Sequence, residues 1–140
     1  MNTPIKFGTD GWRDIIADNF TFQNVSLVTG ALGKFILKNH NKDLPILIGY
    51  DTRFLASRFA RHSAEELVNA GLNILVSNNV VPTPVIAYSA TKLATNGAIQ
   101  FTASHNPPKY LGLKYITSYG SPAPEEVTDE VTNYIKEIES

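Results

Sequence analysis

Residues 97–108 read GAIQFTASHNPP, an apolar run that changes abruptly into a polar loop closed by two prolines. Residues 97–101 have the length and composition of a short buried strand. Residues 102–108 carry a serine, a histidine and an asparagine in succession. Since open α/β sheets bind ligands where their strands end, this junction predicts both a fold class and the position of a site.

The alternation of short apolar runs with amphipathic stretches extends in both directions from that junction. Further strands are predicted at 44–50, 72–76 and 112–116, and two short extended pieces within 5–20. Helices are predicted from a Thr21 cap to about Asn39, at 57–70, at 85–93, and from Pro122 or Pro124 onward. This order predicts an α/β fold, a three-layer α/β/α sandwich with a mostly parallel but mixed sheet of about four main strands.

The composition narrows the function classes. The 140 residues fit one domain, 1–140, and 12 Lys+Arg against 13 Asp+Glu give a net charge of −1, which disfavours nucleic acid as a partner. The absence of cysteine excludes disulfides, thiolate metal sites and a cysteine nucleophile. No apolar run predicts a membrane span or a signal peptide, so we expect a cytoplasmic protein without membrane contact.

Ser104 is the first candidate for chemistry. A serine hydroxyl is a weak nucleophile unless a neighbouring group activates it. His105 is adjacent, but adjacent side chains on extended backbone point to opposite sides, and the flanks do not form a G-x-S-x-G elbow. From these residues alone, a loop serine that satisfies backbone groups is as good an interpretation.

The neighbours of Ser104 leave similar alternatives. His105 can carry a proton near neutral pH or be an ordinary exposed loop histidine. Asn106 stands before two prolines that stiffen the loop, a property useful for presenting a group at one angle. Lys109 belongs to the same polar cluster, and Lys114, on the next predicted strand, can face the site as a cation or general acid/base, or be a solvated lysine.

Two other loops supply further charged candidates. Arg13 can clamp a phosphate with two hydrogen bonds or form a surface salt bridge with Asp10 or Asp14. Asp51 and Arg53 can pair with each other or orient a neighbouring loop. No phosphate-binding P-loop, dinucleotide fingerprint or metal-ligand motif is present in the sequence.

Three motifs in this order carry a resemblance: FGTDGWR at 7–13, GYDTR at 49–53 and TASHNPP at 102–108. Together they resemble domain I of the phosphoglucomutase/phosphomannomutase (α-D-phosphohexomutase) family, over essentially the whole chain. The resemblance implies a serine, matching Ser104, that carries a phosphoryl group. It gives that group to a hexose phosphate and recovers one from a bisphosphorylated intermediate.

The resemblance also implies roles for the other candidates. Lys114, and also His105 or Arg13, match the residues proposed for general acid/base work beside the transferring group. Asn106, Lys109, Asp51 and Arg53 would support the substrate and the phosphate-bearing loop. Mg²⁺ would be held by the phosphate on Ser104 and by aspartates of a later domain.

The sequence departs from the family pattern in three respects. Leu111 stands where relatives commonly have asparagine before the glycine, and Ala56 stands where they often have serine, so we expect the following helix to be capped by Ser57. The Asp-Gly-Asp-x-Asp-Arg metal loop, the sugar-recognition loop and the terminal phosphate-binding domain of the family are missing from this chain. The chain is therefore expected to be a first domain with little or no turnover by itself, its partners being hexose phosphates and the remaining domains of the same polypeptide.

Two other interpretations compete with this one. A non-catalytic module of the same fold would bind phosphate or sugar phosphate without depending on phosphorylation of Ser104. A serine hydrolase would use Ser104 as a conventional nucleophile, which the missing elbow already disfavours.

Overall fold

A mixed sheet with helices on both faces organises the computed structural model, which describes residues 3–140; the first two residues of the predicted domain lie outside that range. The elements in chain order are β1 (Trp12–Ile15), α1 (Phe22–Asn39), β2 (Ile46–Tyr50), α2 (Ala56–Asn69), β3 (Ile74–Val76), α3 (Thr83–Lys92), β4 (Ala98–Phe101), β5 (Tyr110–Ile116) and α4 (Glu125–Glu139). Across residues 3–140, no helix combines the length and apolar character that crossing a bilayer requires.

The strands follow the order β1-β5-β4-β2-β3. Strand β2 runs parallel to both β3 and β4, whereas β5 runs antiparallel to both β4 and β1. The prediction of a three-layer α/β fold with a mixed sheet is confirmed. The described sheet has five strands rather than about four, and only two of its four pairings are parallel, so "mostly parallel" overstated the case.

The extra antiparallel pairings have a local cause. Strands β4 and β5 are joined by a loop without a helix, and a chain that returns without a crossover element pairs antiparallel. Strand β1, which contains one of the predicted extended pieces of the opening segment, then pairs with the free edge of β5. Sequence periodicity does not identify that edge because a four-residue strand carries little pattern of its own.

The two faces of the sheet are covered unequally. Alternate strand residues point to a large apolar layer beneath α1, α2 and α4, which we call the core face; they include Trp12, Ile48, Ile99, Phe101 and Leu113. The opposite side, the α3 face, has a small apolar cluster formed by Leu47, Ile86, Ala90, Ala98 and Ile116. Helix α3 packs over β2 and β4, so the outer strands β5 and β1 carry partly exposed polar side chains on that face.

Helix boundaries follow local chemistry. Thr21 caps α1 as predicted, its Oγ1 accepting a hydrogen bond from the Asn24 N–H at 3.2 Å. The predicted Ser57 cap of α2 is wrong: α2 begins at Ala56, directly after Leu55 in the left-handed region at φ 64°. A hydrogen bond of 3.1 Å from the Ala56 N–H to the Arg53 carbonyl already turns the chain there, so no side-chain cap is formed.

Candidate functional site

The polar residues predicted from two separate motifs meet at the carboxyl ends of β2 and β4. These strands are parallel neighbours, and the Asp51 N–H donates to the Phe101 carbonyl at 3.0 Å, which brings their following loops side by side. An open pocket of about 440 Å³ lies between the loops. Its lining residues are Asp51, Thr52, Arg53, Phe54, Ser104, Asn106 and Pro108.

Ser104 stands exposed at the bend of the second loop. Its φ of 51° lies in the left-handed region, which costs a non-glycine residue about 1–2 kcal/mol. Its N–H donates to Thr102 Oγ1 at 3.1 Å, and the preceding Ala103 is fully buried and anchors the turn. The backbone thus leaves Ser104 exposed, and a non-glycine residue in this strained conformation is a feature often found at functional sites.

The Arg53 side chain binds the backbone of this loop. Its guanidinium donates to four backbone carbonyls: Nη1 to Pro107 at 2.8 Å and Tyr110 at 3.0 Å, and Nη2 to Ser104 at 3.0 Å and Asn106 at 2.7 Å. The planar fork of an arginine is suited to such convergent acceptors, whereas a lysine ammonium is not. Arg53 therefore fixes the shape of the Ser104 loop and has few donors left for a ligand.

Asp51 fixes Arg53 in turn. The Asp51 carboxylate accepts a hydrogen bond from the Arg53 N–H at 2.9 Å and lies 3.6 Å from the Arg53 Nε. The two alternatives considered for this pair are thus both present in the structure: the residues contact each other, and Arg53 orients the neighbouring loop. The pairing also neutralises the one carboxylate among the residues that line the pocket.

Arg13 approaches the loop from the opposite side. Its Nη1 donates to Asn106 Oδ1 at 3.1 Å, and its Nε is buried without a hydrogen-bond partner among the described residues. Within residues 3–140, neither salt bridge considered for Arg13, with Asp10 or with Asp14, is formed. Asp14 instead accepts hydrogen bonds from Ile15 N–H at 2.8 Å and from the Asn19 amide at 2.7 Å. Within residues 3–140, no salt bridge includes Arg13, so its charge is uncompensated.

The remaining predicted residues, His105, Lys109 and Lys114, do not line the pocket. His105 and Lys109 are exposed, and within residues 3–140 no hydrogen bond joins the side chains of Ser104 and His105. Lys114 is half-buried on β5, opposite Gln100 of β4 and on the same sheet face as Arg13. His105 and Lys109 thus lie on the loop that carries Ser104, and Lys114 lies on the sheet.

Two features of the site were not found by sequence reasoning. Phe54 belongs to the pocket lining although it is 71% exposed, and nothing in the pattern D-T-R-F distinguishes such an aromatic from a core residue. The convergence of four carbonyls on Arg53 depends on the path of a loop far away in sequence. An arginine three residues after a buried strand was the only available signal.

The described residues do not themselves form a metal site. Within residues 3–140, no group of three or more His, Cys, Asp or Glu side chains is placed to hold a metal ion. Asp51, the carboxylate next to Ser104 in the pocket, is already engaged by Arg53.

Comparison with known proteins gives a consistent result. The sequence model of phosphoglucomutase/phosphomannomutase, alpha/beta/alpha domain I, matches residues 4–140. A phosphoglucomutase from Staphylococcus saprophyticus is 33% identical over 97% of this chain, and a phosphoglucosamine mutase from Alkaliphilus metalliredigens is 32% identical over 96% of it. A crystal structure of a Thermus thermophilus protein assigned as a phosphomannomutase superposes with a TM-score of 0.90 at 36% identity, over 96% of this chain.

These similarities concern only one part of each relative. The chain spans 25% of the Staphylococcus protein, 30% of the Alkaliphilus protein and 30% of the Thermus chain. A Burkholderia thailandensis structure at 21% identity, with a TM-score of 0.80, supports the fold alone.

Proposed function

The chain belongs to the phosphoglucomutase/phosphomannomutase family as its alpha/beta/alpha domain I, and from that premise we propose that Ser104 carries the phosphoryl group in a phosphohexomutase reaction. The relatives are named as mutases of phosphoglucose and phosphoglucosamine, which supports a mutase domain. The observation that carries the proposal is the exposed Ser104, with a backbone φ of 51°, on a loop fixed by four carbonyl contacts to Arg53. Phosphoryl transfer depends mainly on such positioning and on charge stabilisation.

The charges around Ser104 suit a phosphorylated serine. A phosphoserine adds a charge of about −1.5 to −2 at neutral pH. The uncompensated guanidinium of Arg13, fixed on Asn106, and the ammonium of Lys114 are natural counter-charges. The net charge of −1 for the whole chain agrees with a site that needs a few placed cations rather than a basic surface.

The proposed reaction moves one phosphoryl group at a time. The bond between phosphorus and Ser104 Oγ breaks as a bond to a sugar hydroxyl oxygen forms. The sugar hydroxyl gives up its proton and the serine oxygen gains one, so the atoms and charges balance. Lys114 is our first candidate for this proton exchange, with His105 and Arg13 as the other two. The bisphosphorylated sugar then reorients in the site. The same steps run in reverse with its other phosphate and restore phosphoserine.

The partners belong to the same proposal. Hexose phosphates are the substrate class that the names of the relatives suggest. Asn106, Lys109, Asp51 and Arg53 support the loop and its substrate. Mg²⁺, when bound, would neutralise charge on the transferring phosphate. The phosphate on Ser104 would supply one ligand and the remaining domains of the polypeptide the others, because the described residues form no ligand cluster.

Intact mass and phosphorus NMR on protein purified from cells test the serine assignment. We expect one added phosphate in the full-length parent, located on Ser104 by fragmentation and absent in Ser104→Ala. Activity of the full-length parent without phosphate on Ser104 at any stage of turnover would overturn the proposal. The 140-residue chain is expected to show little or no turnover in the same assay.

Titration of the 140-residue chain with hexose phosphates separates this function from a binding module. Saturable binding that is equal in the unmodified chain and in Ser104→Ala, without any phosphorylation, would favour the module. A fluorophosphonate reagent that labels Ser104 would favour a serine hydrolase.

A further inference from the structure

Gly112 lies where the side chain of Arg13 crosses strand β5. The two residues are register partners in the β1–β5 ladder, and Arg13 extends from there to the amide oxygen of Asn106. A Cβ atom added at Gly112 would lie 2.7 Å from Arg13 Cγ. The aliphatic part of the arginine therefore occupies the space that any other residue at 112 would fill.

The other walls of this space are backbone. The added Cβ would lie 2.5 Å from the Thr102 carbonyl oxygen and 2.9 Å from the Trp12 carbonyl oxygen. Gly112 is not among the residues with positive φ, so its backbone conformation is open to any residue. The glycine is required for space rather than for conformational freedom, and of its three neighbours Arg13 is the one that contributes a side chain.

Little else fixes Arg13 in place. Among the described residues its guanidinium has one hydrogen bond, to Asn106, and its Nε is buried without a partner. A charged group with so few polar contacts is oriented largely by the surface against which its stem packs. That surface is the bare backbone of Gly112.

We propose that Gly112 is a positioning residue that aligns Arg13 with the Ser104 loop. Because Gly112 has no side chain, the aliphatic part of Arg13 can lie directly over β5. This position brings the Arg13 guanidinium to Asn106. The consequence for phosphoryl transfer rests on the proposed function of Ser104. The geometric part, that residue 112 determines where Arg13 lies, stands independently of it.

The unmodified chain provides the first test, by NMR. We expect a nuclear Overhauser contact between the Gly112 α-protons and the Arg13 γ-protons, and a slowly exchanging Arg13 Nε–H signal because that atom is buried. The chain has four arginines, so loss of one signal in Arg13→Lys assigns it. Absence of the contact, in a chain whose other β1–β5 contacts are present, would overturn the proposal.

Gly112→Ala is the direct variant, with Gly8→Ala as its matched control, because a Cβ at Gly8 meets nothing within 4 Å. In folded Gly112→Ala we expect the Arg13 Nε–H signal to shift and to exchange at least about tenfold faster, as for a buried donor that becomes exposed. The control should leave that signal unchanged. An unchanged Arg13 signal in folded Gly112→Ala would contradict the proposal, and should the variant not fold, the contact in the unmodified chain decides.

A double-mutant cycle separates positioning from a general structural effect. With inorganic phosphate as the titrant, loss of one hydrogen bond to a charged group weakens binding by about tenfold or more. We expect this loss in Gly112→Ala and in Arg13→Ala, and no further loss when the two are combined. Additive losses would mean that Gly112 does not act through Arg13. If the unmodified chain binds no phosphate and Ser104 is never phosphorylated, the proposed function fails while the NMR result for Gly112 still stands.

Discussion

The core face of the sheet and the 102–110 loop are stabilised in opposite ways. The core face buries apolar side chains such as Phe101 and Leu113, whose contacts have no required direction. The loop depends on one guanidinium that bonds four carbonyls, and each of those bonds requires a particular distance and angle. The fold can therefore tolerate change in many places, whereas the presentation of Ser104 depends on a few atoms.

The largest expected effect is on the core face. Phe101→Ala removes a fully buried ring and should lower the free energy of unfolding by about 3–5 kcal/mol, measured by urea denaturation. Lys114→Ala on the neighbouring strand is the matched control and should change it by about 0.5 kcal/mol or less, as for a partly exposed residue outside the core. Equal losses would mean that the two faces do not differ as described.

Substitution of Arg53 tests how far the 102–110 loop depends on its guanidinium. Arg53→Lys keeps the charge but loses the planar guanidinium. We expect the free energy of unfolding to fall by about 1.5–3 kcal/mol, as for the loss of hydrogen bonds to a charged group. Amide exchange should accelerate at Asn106 and Tyr110, whose N–H groups bond within the loop, and remain slow at Ile46 in the core. Uniform acceleration at all three would show that Arg53 supports the whole fold and not the loop in particular.

A buried polar pair within the apolar layer offers a finer test. Thr29 of α1 and Ser63 of α2 are both fully buried and their hydroxyls lie 2.7 Å apart. Thr29→Val or Ser63→Ala alone should lower the free energy of unfolding by about 1–3 kcal/mol, because each leaves one hydroxyl without its partner. The double variant should cost less than the sum of the two, and strict additivity in urea denaturation would contradict the pairing.

The smallest expected effect is the response of stability to pH. Burial lowers the pKa of His40, which follows α1 and contacts Phe35 edge to face at 5.5 Å. Because the folded-state pKa is below the unfolded value, protonation favours unfolding, and the stability from neutral His40 is lost as pH falls from about 7 toward 5. The His40→Gln variant should show a shallower loss over that range, and an identical pH profile would exclude His40 as the cause.

Several elements could be predicted because their signals are local. The Thr21 cap, the spacing of apolar residues in α1 and the apolar runs of β2 and β4 each depend on residues close in sequence. The start of α2 was predicted one residue late because Leu55 adopts a left-handed backbone that its side chain does not favour. The place of β1 beside β5 was not predictable, because it depends on which sheet edge remains free after the other strands pair.

The features of the site likewise fall into those that the sequence predicts and those that depend on the tertiary structure. The sequence by itself determined the α/β class, the motifs that resemble the family and the serine to examine, since these depend on residue types and their order. Only the tertiary structure decided that Arg53 binds the loop carbonyls, that Arg13 bonds Asn106 rather than Asp14, and that Gly112 leaves room for it. These contacts join residues far apart in the chain, 93 positions in the case of Arg13 and Asn106. The direction of a side chain across such a separation follows from packing, which no local pattern encodes.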